Sequence, residues 1–370
     1  MTWFTAADCD LKEFRVLVEQ TTDPRDYPYA SSVEQNVPIY GPLPADRRAV
    51  QAELVRALAD GPGIVVFRDA FDPAVIDRAT EVFHEMIAAQ KASGVAGGDH
   101  FAPPGANDRV WGALDKFALR DPAAFAAYYA NDVLALVSEA WLGTGYQVTS
   151  QINVVNPGGK AQVAHRDYHL GFMSQEQALR YPAHIHQLSP ALTLQGAVAH
   201  VDMPVETGPT LYLPHSQKYP AGYIAFHQPE FTEYFEAGYV QLPLHKGDAV
   251  FFNPALFHGA GTNKTADVRR MANLLQVSSA FGRAMESVDR LAMSVALYPV
   301  LRGLTDAGAV RNVVAASAEG YAFPANLDRD QPVDGLAPVT QAELVLRAVR
   351  EEWSAERFTE ELEAQARRRA

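Results

Sequence analysis

The chain has one cysteine, Cys9, among its 370 residues. A single cysteine excludes a disulfide within the chain and fits a reducing compartment. Two further features are absent: the N-terminus lacks the basic-then-apolar order of a signal peptide, and no apolar run approaches the roughly 20 residues that cross a bilayer. Together these absences predict a cytoplasmic location.

Positive charge is also in short supply. Lys and Arg number 31 against 44 Asp and Glu, which gives a formal net charge of -13. Because such a surface repels phosphate backbones and anionic lipids, we expect neither a nucleic acid nor a membrane as a partner. A small-molecule substrate in a local pocket is compatible with this charge. The sequence leaves a monomer and a homodimer equally open.

The sequence does contain enough apolar material for a large core, since 48% of its residues are hydrophobic. We expect a single catalytic domain spanning residues 1–370. Its regions differ in the periodicity of their apolar residues: an N-terminal arm at 1–45, a mainly helical support at 46–143, a strand-rich core at 146–282 and a helical extension at 283–370.

Helix starts and strand periodicity support this division. Asp46, Asp72 and Asp121 are typical N-cap residues, and the last two are followed by proline. The helix after Asp121 is expected to continue to Trp141. From 146 onward apolar and polar residues alternate with period two, and many short strands with intervening turns predict a jelly roll, in which two packed sheets leave an open mouth.

The segment His165-Arg166-Asp167, together with the distant His258, indicates the chemistry. On an extended strand, side chains i and i+2 point to the same face, so His165 and Asp167 present an imidazole and a carboxylate to one point. With His258 they would form the facial triad of two histidines and one carboxylate that holds Fe(II) and leaves positions for a chelating co-substrate and dioxygen. We therefore predict these three residues as metal ligands and catalytic residues.

An arginine after the second histidine indicates the co-substrate. Arg269 carries a rigid guanidinium that can hold a carboxylate by two parallel hydrogen bonds. Its neighbour Arg270 points to the opposite face of the same predicted strand, so only one of the two can reach the pocket. A facial triad with such an arginine predicts 2-oxoglutarate.

Several stretches resemble, in the same order, parts of the phytanoyl-CoA dioxygenase family: HRDYHLGF, TGPTLYLPHSQK, KGDAVFFNP and HGAGTNKTADVR. The resemblance covers roughly residues 60 to 280. It implies a mainly β fold with flanking helices around a double-stranded β-helix, a cupin-like jelly roll, and an enzyme that uses Fe(II), 2-oxoglutarate and O2. By position it assigns the iron ligands to His165, Asp167 and His258, and the co-substrate carboxylate to Arg269.

The activity implied by this resemblance is hydroxylation of an unactivated C–H bond of a small organic or acyl molecule, with succinate and CO2 as products. The chain departs from the family in two places. Ala260 stands where relatives commonly have a serine two residues after the second iron histidine, and Thr262 is open as its replacement. The stretch 195–198 lacks a tryptophan that some relatives have near the co-substrate. These departures put the affinity for 2-oxoglutarate in question.

Further side chains are candidates for the same pocket, although each also suits an ordinary structural role. Asn153 and Gln151, on the polar face of the strand that follows 146, are expected to hydrogen-bond the co-substrate. His169 shares the face of the ligands if the strand continues that far. Trp111 and Phe172 are candidates for lining the substrate pocket.

Two alternatives from other classes remain open. A cupin-type metal enzyme with non-oxidative chemistry, a lyase or an isomerase, would need neither Arg269 nor 2-oxoglutarate. A small-molecule-binding protein that has lost its activity would keep the fold, although intact ligands count against it. A second metal site at His184, His186 and His200 is conceivable, but no carboxylate at a suitable spacing supports it.

Overall fold

The computed structural model describes residues 2–94 and 105–369, so residues 95–104 of the predicted helical region lie outside the described part. Helices cover the N-terminal third of the described chain, its C-terminal end and several connections within the strand-rich core. Their bounds are α1 (Leu11–Val18), α2 (Arg47–Ala59), α3 (Pro73–Ala92), α4 (Ala113–Arg120), α5 (Pro122–Tyr129), α6 (Asp132–Leu142), α7 (Gln175–Ala178), α8 (Ala183–Ala191), α9 (Gly222–Ala225), α10 (Pro229–Gly238), α11 (Arg290–Gly303), α12 (Ala307–Ser317), α13 (Gln341–Arg350) and α14 (Ala355–Arg369).

The strands form a larger and a smaller sheet. Their bounds are β1 (Ser32–Glu34), β2 (Val37–Tyr40), β3 (Ile64–Phe67), β4 (Asn107–Val110), β5 (Gln147–Val155), β6 (Thr193–Ala199), β7 (Leu211–Leu213), β8 (Val240–Gln241), β9 (Ala249–Phe252), β10 (Phe257–Gly259) and β11 (Arg270–Ser278). The larger sheet has the order β1-β2-β3-β9-β6-β11-β5-β4, and the smaller sheet has the order β10-β7-β8. All paired strands are antiparallel except β2 and β3.

The core is a double-stranded β-helix. After β5 and β6 in the larger sheet, the chain enters the smaller sheet for β7 and β8, returns for β9, crosses again for β10 and ends in the larger sheet with β11. This winding places two sheets face to face and leaves one end open. The predicted fold class is confirmed, although helical residues outnumber strand residues because helices cover the outer face of the larger sheet.

The N-terminal region contains more regular structure than an extended arm. The strands β1 and β2 form a hairpin whose turn residues, Gln35 and Asn36, have φ angles of 50° and 68°. Positive φ at both positions matches the twist of two-residue hairpin turns. Because β2 also pairs with β3, which lies beside β9, this hairpin extends the larger sheet.

The predicted helix starts are present in the structure. Asp46, Asp72 and Asp121 each accept a hydrogen bond from a backbone N–H in the first turn of α2, α3 and α5. The long helix predicted after Asp121 is, however, divided into α5 and α6. Asn131 accepts from the Leu134 N–H and donates to the Ala70 carbonyl, and these two bonds fix a turn that begins a new helix.

Helices α2 to α6 and α11 to α14 pack on the outer face of the larger sheet and share its main apolar core. The last helix packs on its own chain, since the ring of Phe358 stacks on Tyr298 of α11 with centroids 4.0 Å apart. Within 2–94 and 105–369, no helix has both the length and the apolar character needed to cross a membrane. The inner face of the larger sheet faces the smaller sheet, and the cavity lies between the two sheets.

Candidate active site

The metal-ligand candidates are brought together by one short strand contact. His165 lies in an irregular segment between β5 and β6, and it forms an isolated antiparallel bridge with His258 of β10. Their backbones exchange two hydrogen bonds, from His165 N to His258 O at 2.9 Å and from His258 N to His165 O at 3.1 Å. The bridge puts the two imidazole rings side by side, with centroids 4.5 Å apart.

Asp167 completes the group. Its Oδ2 lies 3.3 Å from His258 Nε2, and its Oδ1 lies 3.7 Å from His165 Nε2. The three ligand atoms are all within 4.8 Å of one another, and no other group of three such side chains converges in the described part of the chain. Two imidazole nitrogens and a carboxylate oxygen at this separation can coordinate one transition-metal ion.

Both imidazoles are held in the orientation that metal binding needs. The Nδ1 atoms of His165 and His258 lie 2.8 Å from the carbonyl oxygens of Val163 and Leu256. A carbonyl only accepts, so Nδ1 carries the proton in each ring and the lone pair of Nε2 faces the site. Such backing contacts fix the tautomer of metal-binding histidines.

The Asp167 carboxylate is kept ionised by its neighbours. Burial alone would raise its pKa, but the charge that His165 and His258 carry when protonated, together with a hydrogen bond from Gln195, outweighs that effect and holds the pKa of Asp167 below its ordinary range. Gln195 Nε2 donates to Asp167 Oδ2 at 2.5 Å. Gln195 was not predicted as a site residue, since nothing in its local pattern separates it from other polar strand residues.

The residue between the two ligands points the other way. Arg166 is 1% exposed, and its guanidinium donates to the carbonyl oxygens of Ser216 at 2.6 Å and Tyr219 at 3.1 Å. It also lies over the rings of Tyr223 and Phe257, at 5.0 and 5.2 Å. The alternation expected of an extended segment therefore holds for residues 165 to 167, and Arg166 ties the back of this segment to the chain at 216–223.

The metal-ligand group opens into a cavity of about 570 Å³ between the two sheets. This volume lies in the range of about 300 to 1,000 Å³ that is usual for small-molecule sites. The larger sheet contributes a row of inward-facing residues, and the smaller sheet contributes His258 and Tyr212. Lining residues from the larger sheet are Val66, Arg109, Asn153, Gln195, Gly196, Ala197, Ala199, Val250, Phe252, Arg270, Ala272, Leu274, Leu275 and Gln276.

The structure corrects the prediction for the carboxylate-binding arginine. Arg269 lies outside the cavity: its side chain is 49% exposed, its Nη2 is 2.7 Å from Asp108 Oδ2, and its Nε donates to Asn156 Oδ1. Arg270 lines the cavity and is 6% exposed. The physical reason is register, because β11 pairs with β5 so that Arg270, Ala272, Leu274 and Gln276 share the inner face.

Arg270 has few partners in the protein. Within residues 2–94 and 105–369 its guanidinium makes one hydrogen bond, of 3.5 Å from Nη1 to Thr207 O, and no carboxylate pairs with it. Burial lowers its pKa to about 10, and the nearby Tyr212 offsets only part of that shift. The guanidinium is therefore charged at neutral pH, and an anion in the cavity would stabilise it.

The two predicted amide residues have different surroundings. Asn153 lines the cavity between Arg109 of β4 and Ala272 of β11. Gln151 is on the same face of β5 but is fully buried and does not line the cavity; it accepts from Arg109 and donates to Gln276 Oε1 and to Glu286 Oε1, both at 3.2 Å. The structure therefore leaves Asn153 as a candidate for contact with a ligand and gives Gln151 a supporting position.

The predicted substrate residues are also divided. Trp111 and Phe172 line the cavity. His169 does not share the face of the ligands, because Tyr168 and His169 have φ angles of 62° and 43° and the extended segment has ended. Its Nδ1 lies 2.9 Å from Ser189 Oγ instead.

The conceivable second metal site is not formed. His200 lies between Thr80 and Tyr128, with ring nitrogens 2.8 and 3.1 Å from their hydroxyl oxygens. His186 contacts the Ala178 carbonyl at 3.2 Å. These histidines and His184 do not converge with one another or with a carboxylate in the described part of the chain.

The two departures at 260 and 262 also have a structural outcome. Ala260 lines the cavity, so a serine hydroxyl is missing from its wall at that point. Thr262 does not replace it, because its Oγ1 accepts a hydrogen bond of 2.9 Å from the Ala161 N–H at the edge of the site.

Comparisons with known proteins agree with the site. The sequence profile of the phytanoyl-CoA dioxygenase (PhyH) family matches residues 47–271. The dioxygenase cdmD of Talaromyces verruculosus is 34% identical over 116 residues, which is 31% of this chain and 34% of that protein. The chain therefore matches about a third of the length of this relative.

Solved structures resemble the chain more distantly. The non-haem α-ketoglutarate-dependent epimerase SnoN from nogalamycin biosynthesis has a TM-score of 0.44 and 19% identity over 63% of this chain and 84% of that one. HygX from Streptomyces hygroscopicus, with nickel, 2-oxoglutarate and hygromycin B bound, has a TM-score of 0.42 and 15% identity over 64% of this chain and 90% of that one. These likenesses are too distant to indicate an activity.

Proposed function

The chain belongs to the phytanoyl-CoA dioxygenase family, and on that premise we propose that it is an Fe(II)- and 2-oxoglutarate-dependent oxygenase. We further propose that it hydroxylates an unactivated C–H bond of a small organic or acyl substrate, and that residues 1–370 act as one catalytic unit. The observation that carries the proposal is the convergence of His165, Asp167 and His258 at the wall of a cavity that also contains the buried Arg270.

The donor set fits a ferrous ion. Two neutral imidazoles and one carboxylate leave further coordination positions open, which is the arrangement of non-haem Fe(II) oxygenases. The Nε2 atoms of His165 and His258 and a carboxylate oxygen of Asp167 would hold the metal. When bound, Fe(II) with 2-oxoglutarate and O2 supplies the oxidising chemistry, with succinate and CO2 as co-products.

Arg270 supports 2-oxoglutarate as the co-substrate. A cation that is buried beside a cavity without a carboxylate of its own is costly, and an anionic ligand removes that cost. In the proposed complex Arg270 holds the far carboxylate of 2-oxoglutarate by a charge-assisted, bidentate interaction. Asn153 lies on the same wall and is a candidate for a further hydrogen bond.

The other part of the cavity supports an apolar substrate. Trp111, Phe172, Met173 and Met285 line it and would exclude water from the substrate once it is bound. The residues of the chain would thereby position one C–H bond near the metal and protect the site from side reactions. The identity of the hydroxylated carbon follows from this positioning rather than from the metal ligands.

The proposal is tested by anaerobic addition of Fe(II) and then 2-oxoglutarate to the purified protein. A weak visible charge-transfer band that needs both additions is expected, because it reports a 2-oxoglutarate chelated to Fe(II). Asp167→Ala should abolish the band and the release of succinate in air. A non-oxidative metal enzyme or a binding protein without activity would give no band at saturating 2-oxoglutarate, and undiminished succinate from Asp167→Ala would remove the assignment of the ligands.

A further inference from the structure

Gln195 occupies a position that neither the family resemblance nor the metal-ligand pattern assigns. It lies on the inner face of β6 and is 6% exposed. Across the sheet its neighbours are Gln276 on β11 and Phe252 on β9. Gln195 and Gln276 thus form a pair of amides on the same wall of the cavity, one strand apart.

In the described part of the chain, the side-chain amide of Gln195 makes one hydrogen bond, and its acceptor is the predicted metal ligand Asp167. Nε2 donates to Asp167 Oδ2 at 2.5 Å, and no other side chain of the described residues donates to this carboxylate, since the Nε2 atoms of His165 and His258 face it with their lone pairs. A carboxylate on a single bond can rotate freely unless its oxygens are held. The bond from Gln195 fixes which oxygen faces the sheet and which faces His165.

The second polar atom of the same amide has no partner. Gln195 Oε1 is buried, and no donor of the described residues lies within hydrogen-bond distance of it. An unsatisfied buried acceptor costs about 1 to 3 kcal/mol. Since Gln195 lines the cavity, a donor bound there, such as a water molecule on the metal or a hydroxyl group of a ligand, would satisfy it.

We propose that Gln195 is the positioning residue of the metal centre: it holds Asp167 through Oδ2, leaves Oδ1 for the metal and offers its own Oε1 to a donor beside the metal. This inference rests on the proposed function, since it requires that the three ligands bind a metal. It explains why an amide is present, because a carboxylate at 195 could not donate to Asp167 and an apolar side chain could neither donate nor accept.

The structure provides a matched control. Gln276 is the same residue type on the same face, and it is buried to the same 6% exposure. Its Oε1 accepts from Gln151, and it makes no hydrogen bond to His165, Asp167 or His258. Replacement of Gln276 by methionine therefore changes the polarity of the wall by the same amount and leaves Asp167 in place.

The experiment compares Gln195→Met, Gln195→Asn and Gln276→Met with the wild type in anaerobic titrations of the metal-free protein with Co(II). The readout is the d–d absorption of bound Co(II), without 2-oxoglutarate and without turnover. Gln195→Met should weaken Co(II) binding by about 10- to 100-fold, as expected for loss of a contact behind a metal ligand. Gln195→Asn keeps the amide but shortens its reach, so it should fall between wild type and Gln195→Met.

Thermal melting of the metal-free proteins controls for folding. Co(II) affinity of Gln195→Met equal to that of the wild type and of Gln276→Met would overturn the inference while leaving the proposed function intact. An equal loss in Gln195→Met and Gln276→Met would also overturn it, because the effect would then belong to wall polarity. Failure of the wild type to bind Co(II) would overturn both the inference and the proposed metal centre.

Discussion

Arg166 and Arg270 are both buried and pair with no carboxylate of the described residues, yet their surroundings differ. Burial lowers the pKa of each to about 10. Arg166 is surrounded by protein, with two short hydrogen bonds to carbonyls and two aromatic rings over its guanidinium. The Arg270 guanidinium faces a cavity, and its one hydrogen bond to the described residues is 3.5 Å long.

The difference separates a cation that is satisfied within the fold from one that we propose binds a ligand. Carbonyl oxygens and ring faces compensate the charge of Arg166 within the folded chain. The charge of Arg270 has no such compensation among the described residues, so an anion that entered the cavity would offset the cost of burying it. The first arginine should therefore matter for stability, and the second for affinity.

The largest expected effect is on co-substrate affinity in Arg270→Met. Loss of one partner from a buried charge pair costs about 2 to 5 kcal/mol, so the Kd for 2-oxoglutarate should rise on the order of 100-fold or more. The melting temperature without ligand should not fall, since an uncompensated charge has been removed. Anaerobic titration with Fe(II) present measures the affinity. If Arg270→Met bound 2-oxoglutarate normally, the two arginines would no longer differ in the proposed way.

The second effect is on stability in Arg166→Met. Two buried carbonyls lose their donor, and we expect the free energy of unfolding to fall by about 2 kcal/mol. Denaturant unfolding of the metal-free protein measures this free energy. The affinity of the variant for 2-oxoglutarate is measured as well and is corrected for the folded fraction, so that it can be compared with that of Arg270→Met.

Gly222 provides a second test of the position of Arg166, because a Cβ at residue 222 would overlap the Arg166 guanidinium. Gly222→Ala alone should destabilise the protein. In the double variant Arg166→Met/Gly222→Ala, the two losses should be less than additive, as expected for residues in contact. Full additivity would mean that Arg166 does not occupy the space beside Gly222.

A third buried side chain, the imidazole of His200, avoids the cost of a buried charge by remaining neutral. Desolvation, with a smaller contribution from His84, lowers the pKa of His200 to about 3. Because the unfolded imidazole titrates near 6.5, the unfolded state binds more protons between about pH 6.5 and 3, and stability falls as the pH is lowered through this window. The slope from one such group is at most about 1.4 kcal/mol per pH unit.

Unfolding of wild type and His200→Gln between pH 7 and 5 isolates this contribution. The free energy of unfolding of the variant should depend less on pH than that of the wild type. The difference between the two slopes should correspond to at most one proton. If the free energy of unfolding depended on pH identically in both proteins, burial would not hold His200 neutral in the folded state.

The smallest effect is expected for Arg269→Met. Its guanidinium pairs with Asp108 on a half-exposed surface, and such pairs contribute about 0 to 1 kcal/mol. Because this pair lies outside the cavity, the Kd for 2-oxoglutarate should change by less than about fivefold in the same titration, since 1.4 kcal/mol corresponds to tenfold. A loss as large as that of Arg270→Met would restore Arg269 as the carboxylate-binding residue.

Local sequence was enough for the features that depend on neighbouring residues. The pair His165 and Asp167 shares a face because alternation along an extended segment is a property of the backbone, and the helix starts at Asp46, Asp72 and Asp121 follow from side chains that cap the next turn. The jelly roll could be predicted from many short alternating strands, and His258 from the family resemblance together with the unfilled position of a two-ligand site.

Features that depend on register and on distant contacts were decided only by the tertiary structure. The two adjacent arginines, Arg269 and Arg270, cannot be distinguished by local sequence. The pairing of β11 with β5 and β6 turns Arg270 inward and Arg269 outward. A shift of this pairing by one residue would exchange the two faces of the strand. The backbone turn at Tyr168 and His169 likewise removed His169 from the ligand face. Gln195 lies beside Asp167 only because the fold places β6 next to the segment that contains Asp167. Local sequence does not determine the distance between two such segments.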